Sequence, residues 1–256
     1  MVRTKKAFLE LHDGNERYFL SSSDWYSPNV ESAAKGFKRL GYELEGFKAS
    51  DLQNLPLNRS TIVKGSIYSV RMALYYLGLP QPENVDIPES LIKYTHRRIW
   101  KTTLGTIRKH KTPVFIKPLK VQKAFGGHVF NSRPESFLTR SRSDRFAVLA
   151  SEVVDFETEW RVYVLKGEIQ GVCPYEGAYA GNRAPSTKVL QQMINDFKDA
   201  PAAYAMDVGK LTRPGEKPVL ALIEINESFS LGNYGLSNIK YAKMVEARWK
   251  EMVSVC

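Results

Sequence analysis

Ala205-Met206-Asp207-Val208 and Leu222-Ile223-Glu224-Ile225-Asn226-Glu227 are the two stretches that decide how this chain is read. Each is a run of apolar residues in which acids or an amide occupy alternate positions. That alternation predicts strands with one face turned to a core. Residues two apart on a strand share a face, so Glu224 and Asn226 project together while Ile223 and Ile225 turn inward. If the two strands pair, Asp207 reaches the same face. The set then comprises two carboxylates and an amide oxygen, hard donors that suit Mg2+. Taken alone, Asp207 is better read as a solvent-facing polar position. Glu224 with Asn226, bracketed by apolar residues and followed by a glycine-containing loop, reads as functional.

Working outward, the second half of the chain predicts antiparallel sheet with few helices. Pro113-Val114-Phe115-Ile116-Lys117-Pro118 reads as a buried strand ending in a lysine, and residues 123–130 as a glycine turn into another strand. Strands follow over 146–154, 160–165 and 168–174, the last two forming a hairpin across Lys166-Gly167. Residues 188–199 read as a helix, 204–208 and 219–225 as strands joined at Arg213-Pro214-Gly215-Glu216, and 240–253 as a terminal helix. The first part alternates instead. Strands are expected at 6–11 and 17–20 around Asp13-Gly14-Asn15, and at 42–47 and 61–64. Helices are expected at 30–40, stopped by Gly41, and at 66–77, stopped by Gly78 and Pro80. That pattern predicts strands covered by helices. Residues 80–88, with three prolines, read as a linker, and 90–100 as a basic helix. The fold class is α+β.

The chain has 256 residues, 43% hydrophobic and 25% charged, an ordinary globular balance. No apolar run approaches the roughly 20 residues of a membrane-spanning helix. No hydrophobic stretch follows the basic start, so no signal peptide is expected, and Cys173 and Cys256 form no disulfide-like or metal-spaced pattern. These features predict a cytoplasmic protein. Net charge is +10, and its placement is uneven. Between Glu89 and Glu135 there is no acid, while 11 cations occur there: Lys93, Arg97, Arg98, Lys101, Arg108, Lys109, Lys111, Lys117, Lys120, Lys123 and Arg133. Such a window attracts anions. A solvated basic surface, a nucleic-acid face and a triphosphate site are three readings between which charge alone does not choose.

With these motifs in order, the chain resembles the ATP-grasp superfamily, which includes D-alanine–D-alanine ligase, glutathione synthetase and the ribosomal-protein glutamate ligases. The resemblance covers about residues 95–240. It implies that Asp207, Glu224 and Asn226 are ligands of Mg2+ ions bridging the ATP phosphates. Lys117 would contact the α- and β-phosphates, although a lysine snorkelling from a strand end is an equal reading of that residue alone. Lys123 to Gly127 would be the phosphate-covering loop, in which Gly126 and Gly127 let the backbone approach oxygens. The run Leu149-Ala150-Ser151-Glu152-Val153-Val154 would receive adenine, at Glu152 and against Val153 and Val154. In Glu159-Trp160-Arg161, Glu159 would lie near the ribose and Arg161 would face the phosphates or acceptor. Arg183 would sit near the transferred phosphoryl group. The chain looks most like the compact phage and bacterial ATP-grasp proteins marked by an arginine and two lysines at the nucleotide, with Arg97 or Arg98, preferably Arg98, as the arginine and Lys117 and Lys123 as the lysines. It departs from many relatives after Asn226, where Glu227-Ser228-Phe229-Ser230 replaces Pro-Gly.

The resemblance implies a small Rossmann-like leading domain over 1–88 and an ATP-grasp domain over 89–256. It also implies an ATP- and Mg2+-dependent carboxylate–amine ligase that works through an acyl phosphate. The carboxylate would be a small molecule or a peptide, and excess basic charge suggests an acidic second substrate. An ATP-grasp kinase acting on a hydroxyl and a basic nucleic-acid-binding protein stay open beside it. The acceptor and the oligomeric state are not legible.

Overall fold

The computed structural model describes residues 5–11, 28–121, 124–131, 139, 141–177 and 183–254. The leading segment is a three-stranded parallel sheet. Strand β1 (Lys6–Glu10) lies in the centre, flanked by β2 (Glu43–Phe47) and β3 (Thr61–Lys64). Helix α1 (Pro28–Arg39) connects β1 to β2 and buries Val30, Ala33, Ala34 and Phe37 at helical spacing. Helix α2 (Ile67–Tyr76) follows β3 and is capped by the Ser66 hydroxyl, which accepts from Ser69 N. Gly41 and Gly78 close the two helices at φ values of 78° and 68°, which only glycine adopts without strain. The expected strand at 17–20 and its turn lie outside the described residues.

Two four-stranded antiparallel sheets follow. The first has the order β4-β7-β5-β6, from β4 (Ile99–Thr103), β5 (Val114–Pro118), β6 (His128–Phe130) and β7 (Ala147–Ser151). A short helix, α3 (Leu104–Ile107), links β4 to β5. The second has the order β11-β10-β8-β9, from β8 (Phe156–Leu165), β9 (Glu168–Gly177), β10 (Ala203–Leu211) and β11 (Val219–Glu227). The hairpin turn carries positive φ at both Lys166 and Gly167, which matches the right-handed twist of its strands. Helix α4 (Thr187–Asp196) crosses from β9 to β10, and α5 (Asn238–Ser254) ends the described chain. Residues 152–155 pass directly from the first sheet to the second.

One expectation is corrected. Residues 90–100 are not a helix; Glu89–Tyr94 forms a short 3-10 segment, and β4 begins at Ile99. His96, at φ 49°, ends the helical path. Beyond it the β-branched and aromatic run Ile99 to Thr103 gains more by pairing with β7 than by continuing a helix. No described helix is long and apolar enough to cross a membrane.

The core has three parts. One fills the β4–β7 sheet around Val114, Ile116, Val148 and Phe130. A second lies between the β8–β11 sheet, α4 and the 3-10 segment. The third is continuous from the leading sheet into α5, through Phe8, Phe37, Tyr241 and Trp249. Helices α1 and α5 meet at Gly36, where an added Cβ would lie 2.0 Å from Asn238 O and 2.6 Å from Ala242 Cβ. Replacing a helical glycine by alanine ordinarily gains about 1 kcal/mol. Here the overlap is with backbone, and overpacking costs about 1–3 kcal/mol. Gly36→Ala is therefore expected to lower the unfolding free energy by about 1–2 kcal/mol net, measured by urea denaturation.

Candidate active site

The register of the β8–β11 sheet sets a row of charged groups across three strands. Arg161 of β8 lies opposite Asp207 of β10, which lies opposite Glu224 of β11. Two residues along β11, Asn226 is paired with Ala205. The three oxygen-bearing side chains expected on one face are therefore together. Asp207 is 2% exposed and Arg161 5% exposed. Their contact is bidentate, with Arg161 Nε and Nη2 donating to the two Asp207 oxygens at 2.7 and 2.6 Å. Burial lowers the Arg161 pKa, but the hydrogen bonds and charge of Asp207 outweigh it and hold that pKa above its ordinary value. The guanidinium also lies 4.8 Å from the ring centres of Tyr175 and Tyr234.

Lys117, near the end of β5 in the other sheet, reaches across. Its ammonium donates to Glu224 Oε2 at 3.0 Å and to Asp86 Oδ1. Burial works against its charge, yet Glu224 and Asp86 raise its pKa. The same lysine keeps the Glu224 pKa below the ordinary value, although burial alone would raise it. Asp86 is hidden from sequence reading because it lies in the proline-rich stretch that reads as a linker. Its backbone carbonyl accepts from Ile225 N at 2.7 Å, which lashes that stretch to β11 beside the metal-ligand candidates. Asn226 Nδ2 bridges Asp207 Oδ2 at 2.8 Å and Glu224 Oε1 at 3.0 Å.

This donor set fits a hard divalent cation. Two carboxylates and an amide converge, and turning the Asn226 amide about its last torsion would present oxygen where nitrogen now bridges the acids. A cavity of about 190 Å3 opens over Lys117, Asp86, Glu224 and Asn226, with Gly126 and Gly127 on its rim. At Gly127 an added Cβ would meet the Phe115 ring at 2.6 Å, so this rim stays close to β5 only without a side chain. Lys123 lies outside the described residues.

Arg97 and Arg98 separate clearly. The β10–β11 ladder shifts register between Asp207 and Val208, so Ile223 is an extra residue on β11. Arg97 Nη1 donates to Leu222 O at 2.8 Å and Nη2 to Ile223 O at 3.0 Å. It thus satisfies the carbonyls of the bulge that aims Glu224. Arg98 has its guanidinium 4.7 Å from the Trp100 ring centre, and its amide donates to Glu152 Oε2 at 3.0 Å. Glu152, Val153 and Val154 occupy the passage between the two sheets, with Val153 exposed. Glu159 lies on β8 two residues before Arg161 and opposite Glu176 of β9. Arg183 is exposed in the connection into α4, outside this hydrogen-bonded network. Of the basic window, Lys93 pairs with Asp196 and Arg108 with Asp144, so part of its charge is spent internally.

Comparison with known proteins agrees with this architecture. Among solved structures, the chain is similar to N5-carboxyaminoimidazole synthetase from Staphylococcus aureus (TM-score 0.59, 10% identity, covering 96% of this chain and 77% of that one). It is likewise similar to a RimK-domain ATP-grasp protein from Sphaerobacter thermophilus (0.56, 17%, 97% and 100%) and to D-alanine–D-alanine ligase from Bacillus anthracis (0.54, 11%, 97% and 98%). Two antiparallel sheets meeting over one cavity are thus those of the ATP-grasp fold. Residues 94–244, more than half of the chain, match the model of an ATP-grasp domain, family 2 of the clade named for one arginine and two lysines, and the chain belongs to that family. ATP and Mg2+ are the family's cofactors, and ATP-dependent ligation is its general chemistry. No curated protein matches the chain.

Two expectations follow. Arg97→Met leaves two bulge carbonyls without donors, at a cost of about 1–3 kcal/mol. It should weaken Mg2+ affinity, followed by calorimetry, while Arg97→Lys restores part of it. Burial, reinforced by Glu176, Asp207 and Glu224, raises the Glu159 pKa from 4.5 to about 7. A raised carboxyl pKa means that the folded state binds more protons than the unfolded one, so this group's stabilisation is lost as pH rises through that window. Across about pH 4.5 to about pH 7, the thermal stability of the wild type should decline more steeply than that of Glu159→Gln.

Proposed function

We propose that this protein uses Mg·ATP to phosphorylate a substrate carboxylate and then joins the resulting acyl phosphate to an amine. The observation that carries this reading is the single network Asp86–Lys117–Glu224–Asn226–Asp207–Arg161, which spans both sheets and borders one cavity. In it, every cation suited to phosphate oxygens is paired with an acid suited to a metal. Asp207, Glu224 and Asn226 would hold Mg2+, which supplies neutralisation of charge on the transferring phosphoryl group. Lys117, released from Glu224, then has its donors free for phosphate oxygens, and Lys123 would join it. Backbone N–H groups at Gly126 and Gly127 cover the same oxygens. Glu152, with Val153 and Val154, receives adenine where the two sheets join; Arg98 flanks it, and Glu159 lies toward the ribose. Arg161, rigidly held by Asp207 and two tyrosine rings, orients the reacting carboxylate, with Arg183 as a further cation for the phosphoryl group. No side-chain nucleophile is needed, since positioning and charge neutralisation supply the rate.

The same proposal divides the chain into a Rossmann-like leading unit, 1–88, and the ATP-grasp unit, 89–256, and places the reaction in the cytoplasm, where ATP is abundant. The departure of the loop after Asn226 from the pattern of many relatives leaves the acceptor specific to this chain.

Incubation with Mg·ATP and pooled carboxylates and amines tests the reading. ADP release that requires one member of each pool is expected. ADP release with a single hydroxyl compound would make the protein a kinase, and salt-dependent RNA or DNA binding without turnover would make it a nucleic-acid-binding protein. Glu224→Gln, which keeps the side-chain shape, should lower turnover by about 100-fold or more, the scale of removing one electrostatic contact to the transition state. Retained turnover in a folded Glu224→Gln protein would sink the metal assignment.

A further inference from the structure

A second and larger cavity, of about 600 Å3, is separate in its lining from the one over Lys117 and Glu224. Three separate elements line it. Ile67, Tyr68 and Arg71 come from α2, Lys120 and Val121 from the segment leaving β5, and Ser230 from the turn leaving β11. The last two segments are the continuations of the strands that carry Lys117 and Asn226. Lys120 is three residues beyond Lys117, and Ser230 four beyond Asn226. A chain advances at most ~3.6 Å per residue, so the cavity wall begins within roughly 14 Å of the metal-ligand candidates. A small molecule seated there can present a reacting group to the nucleotide.

The lining is basic and apolar together. Arg71 and Lys120 are its two charged residues, and no acid is among the described residues that line it. Arg71 uses Nη2 to bond Pro82 O at 3.0 Å, which fixes the guanidinium and leaves its other donors open. Lys120 makes no hydrogen bond or ion pair with a described residue. Tyr68 and Val121 are 63% and 56% exposed, large apolar surfaces that the described fold leaves uncovered. The amide end of α2 is not part of the attraction. Glu10 already holds it, accepting from Ser66 N at 2.5 Å and from the Ser66 hydroxyl at 3.3 Å. An anion here is therefore recognised by side chains, not by the helix.

We propose that this cavity binds the substrate partner of ATP, and that this partner is an anionic small molecule with an apolar body. Its non-reacting carboxylate lies between Arg71 and Lys120, and its apolar part covers Tyr68, Ile67 and Val121. In calling the occupant a substrate, the inference rests on the ligase reading above. The pairing of two cations with exposed apolar surface selects against both free small anions and neutral apolar compounds. A carboxylate lacking an apolar body forfeits the burial of Tyr68 and Val121, and a neutral body forfeits the charge-assisted hydrogen bonds to Arg71 and Lys120.

Binding of matched probes separates these terms. The probes are N-acetylphenylalanine and N-acetylleucine, the amide of each, and acetate, followed by ligand-observed NMR with the full chain, with and without Mg·AMP-PNP. The acids are expected to bind about tenfold or more tightly than their amides, the scale of one charge-assisted hydrogen bond, and acetate more weakly than either acid. Lys120→Glu, at a position without partners among the described residues, should remove that preference and leave Mg·AMP-PNP binding intact. Amides that bind as well as acids, an unchanged preference in Lys120→Glu, or no binding of any probe would overturn the proposal. Failure of Mg·AMP-PNP to bind would instead overturn the ligase reading, and the acid–amide comparison in the apoprotein would still be read on its own.

Discussion

The buried pair of Arg161 and Asp207 is the constraint around which the site is arranged. A carboxylate 2% exposed and a guanidinium 5% exposed persist only because they meet bidentately. Removing either partner would strand a charge, at about 3–5 kcal/mol. The same logic extends outward. Glu224 is neutralised by Lys117, Lys117 also by Asp86, and Asn226 ties Glu224 to Asp207. A polyanion with its divalent metal can enter such a network by exchange of partners. The cations turn from acids to phosphates, and the acids turn from cations to the metal. Each buried charge keeps a counter-charge before and after, so loading the site does not incur the full desolvation of any ion.

That exchange needs both sheets. Asp207, Glu224 and Asn226 belong to the β8–β11 sheet, while Lys117 belongs to β5 and Asp86 to the stretch lashed to β11. The bulge at Ile223 sits directly beside Glu224, and Arg97 is fitted to the carbonyls there. An arginine that closes a bulge cannot also lie flat against a nucleotide. Arg98 instead lies over Trp100, and its guanidinium is not tied to that bulge. Adjacent arginines thus have different physical tasks, one internal and one outward.

What was legible in the sequence follows from locality. Period-two alternation placed Asp207, Glu224 and Asn226 on paired strands, and the structure pairs Asp207 directly with Glu224. Gly41, Gly78 and the Lys166-Gly167 turn also declared themselves, because positive φ is a local demand. The basic run at 90–100 misled, since a charge pattern does not report that Ile99 to Thr103 finds a partner strand, β7, far along the chain. Asp86 and Arg97 were unreadable for the same reason. Their partners, Lys117 and the carbonyls of Leu222 and Ile223, are remote in sequence, and nothing nearby marks either residue. The continuity of the leading sheet's core with α5 is equally nonlocal.

The turn after Asn226 shows how that continuity serves the site. It has no regular ladder, so its backbone polar groups need partners from elsewhere. Lys64, 1% exposed at the end of β3, donates to Phe229 O at 3.2 Å and lies 5.6 Å from the Tyr241 ring centre. Tyr241 of α5 donates to Leu231 O at 2.6 Å, and Tyr163 of β8 donates to Gly232 O at 3.0 Å while accepting from Tyr234 N at 2.8 Å. Glu227 pairs with Arg248 of α5. Three regions of the chain therefore clamp a segment that begins at a metal-ligand candidate. A clamped irregular segment holds its shape without a substrate, which lowers the ordering cost of binding one. Divergence from relatives in this turn then changes which groups it displays, such as Ser230, without loosening the acids beside it.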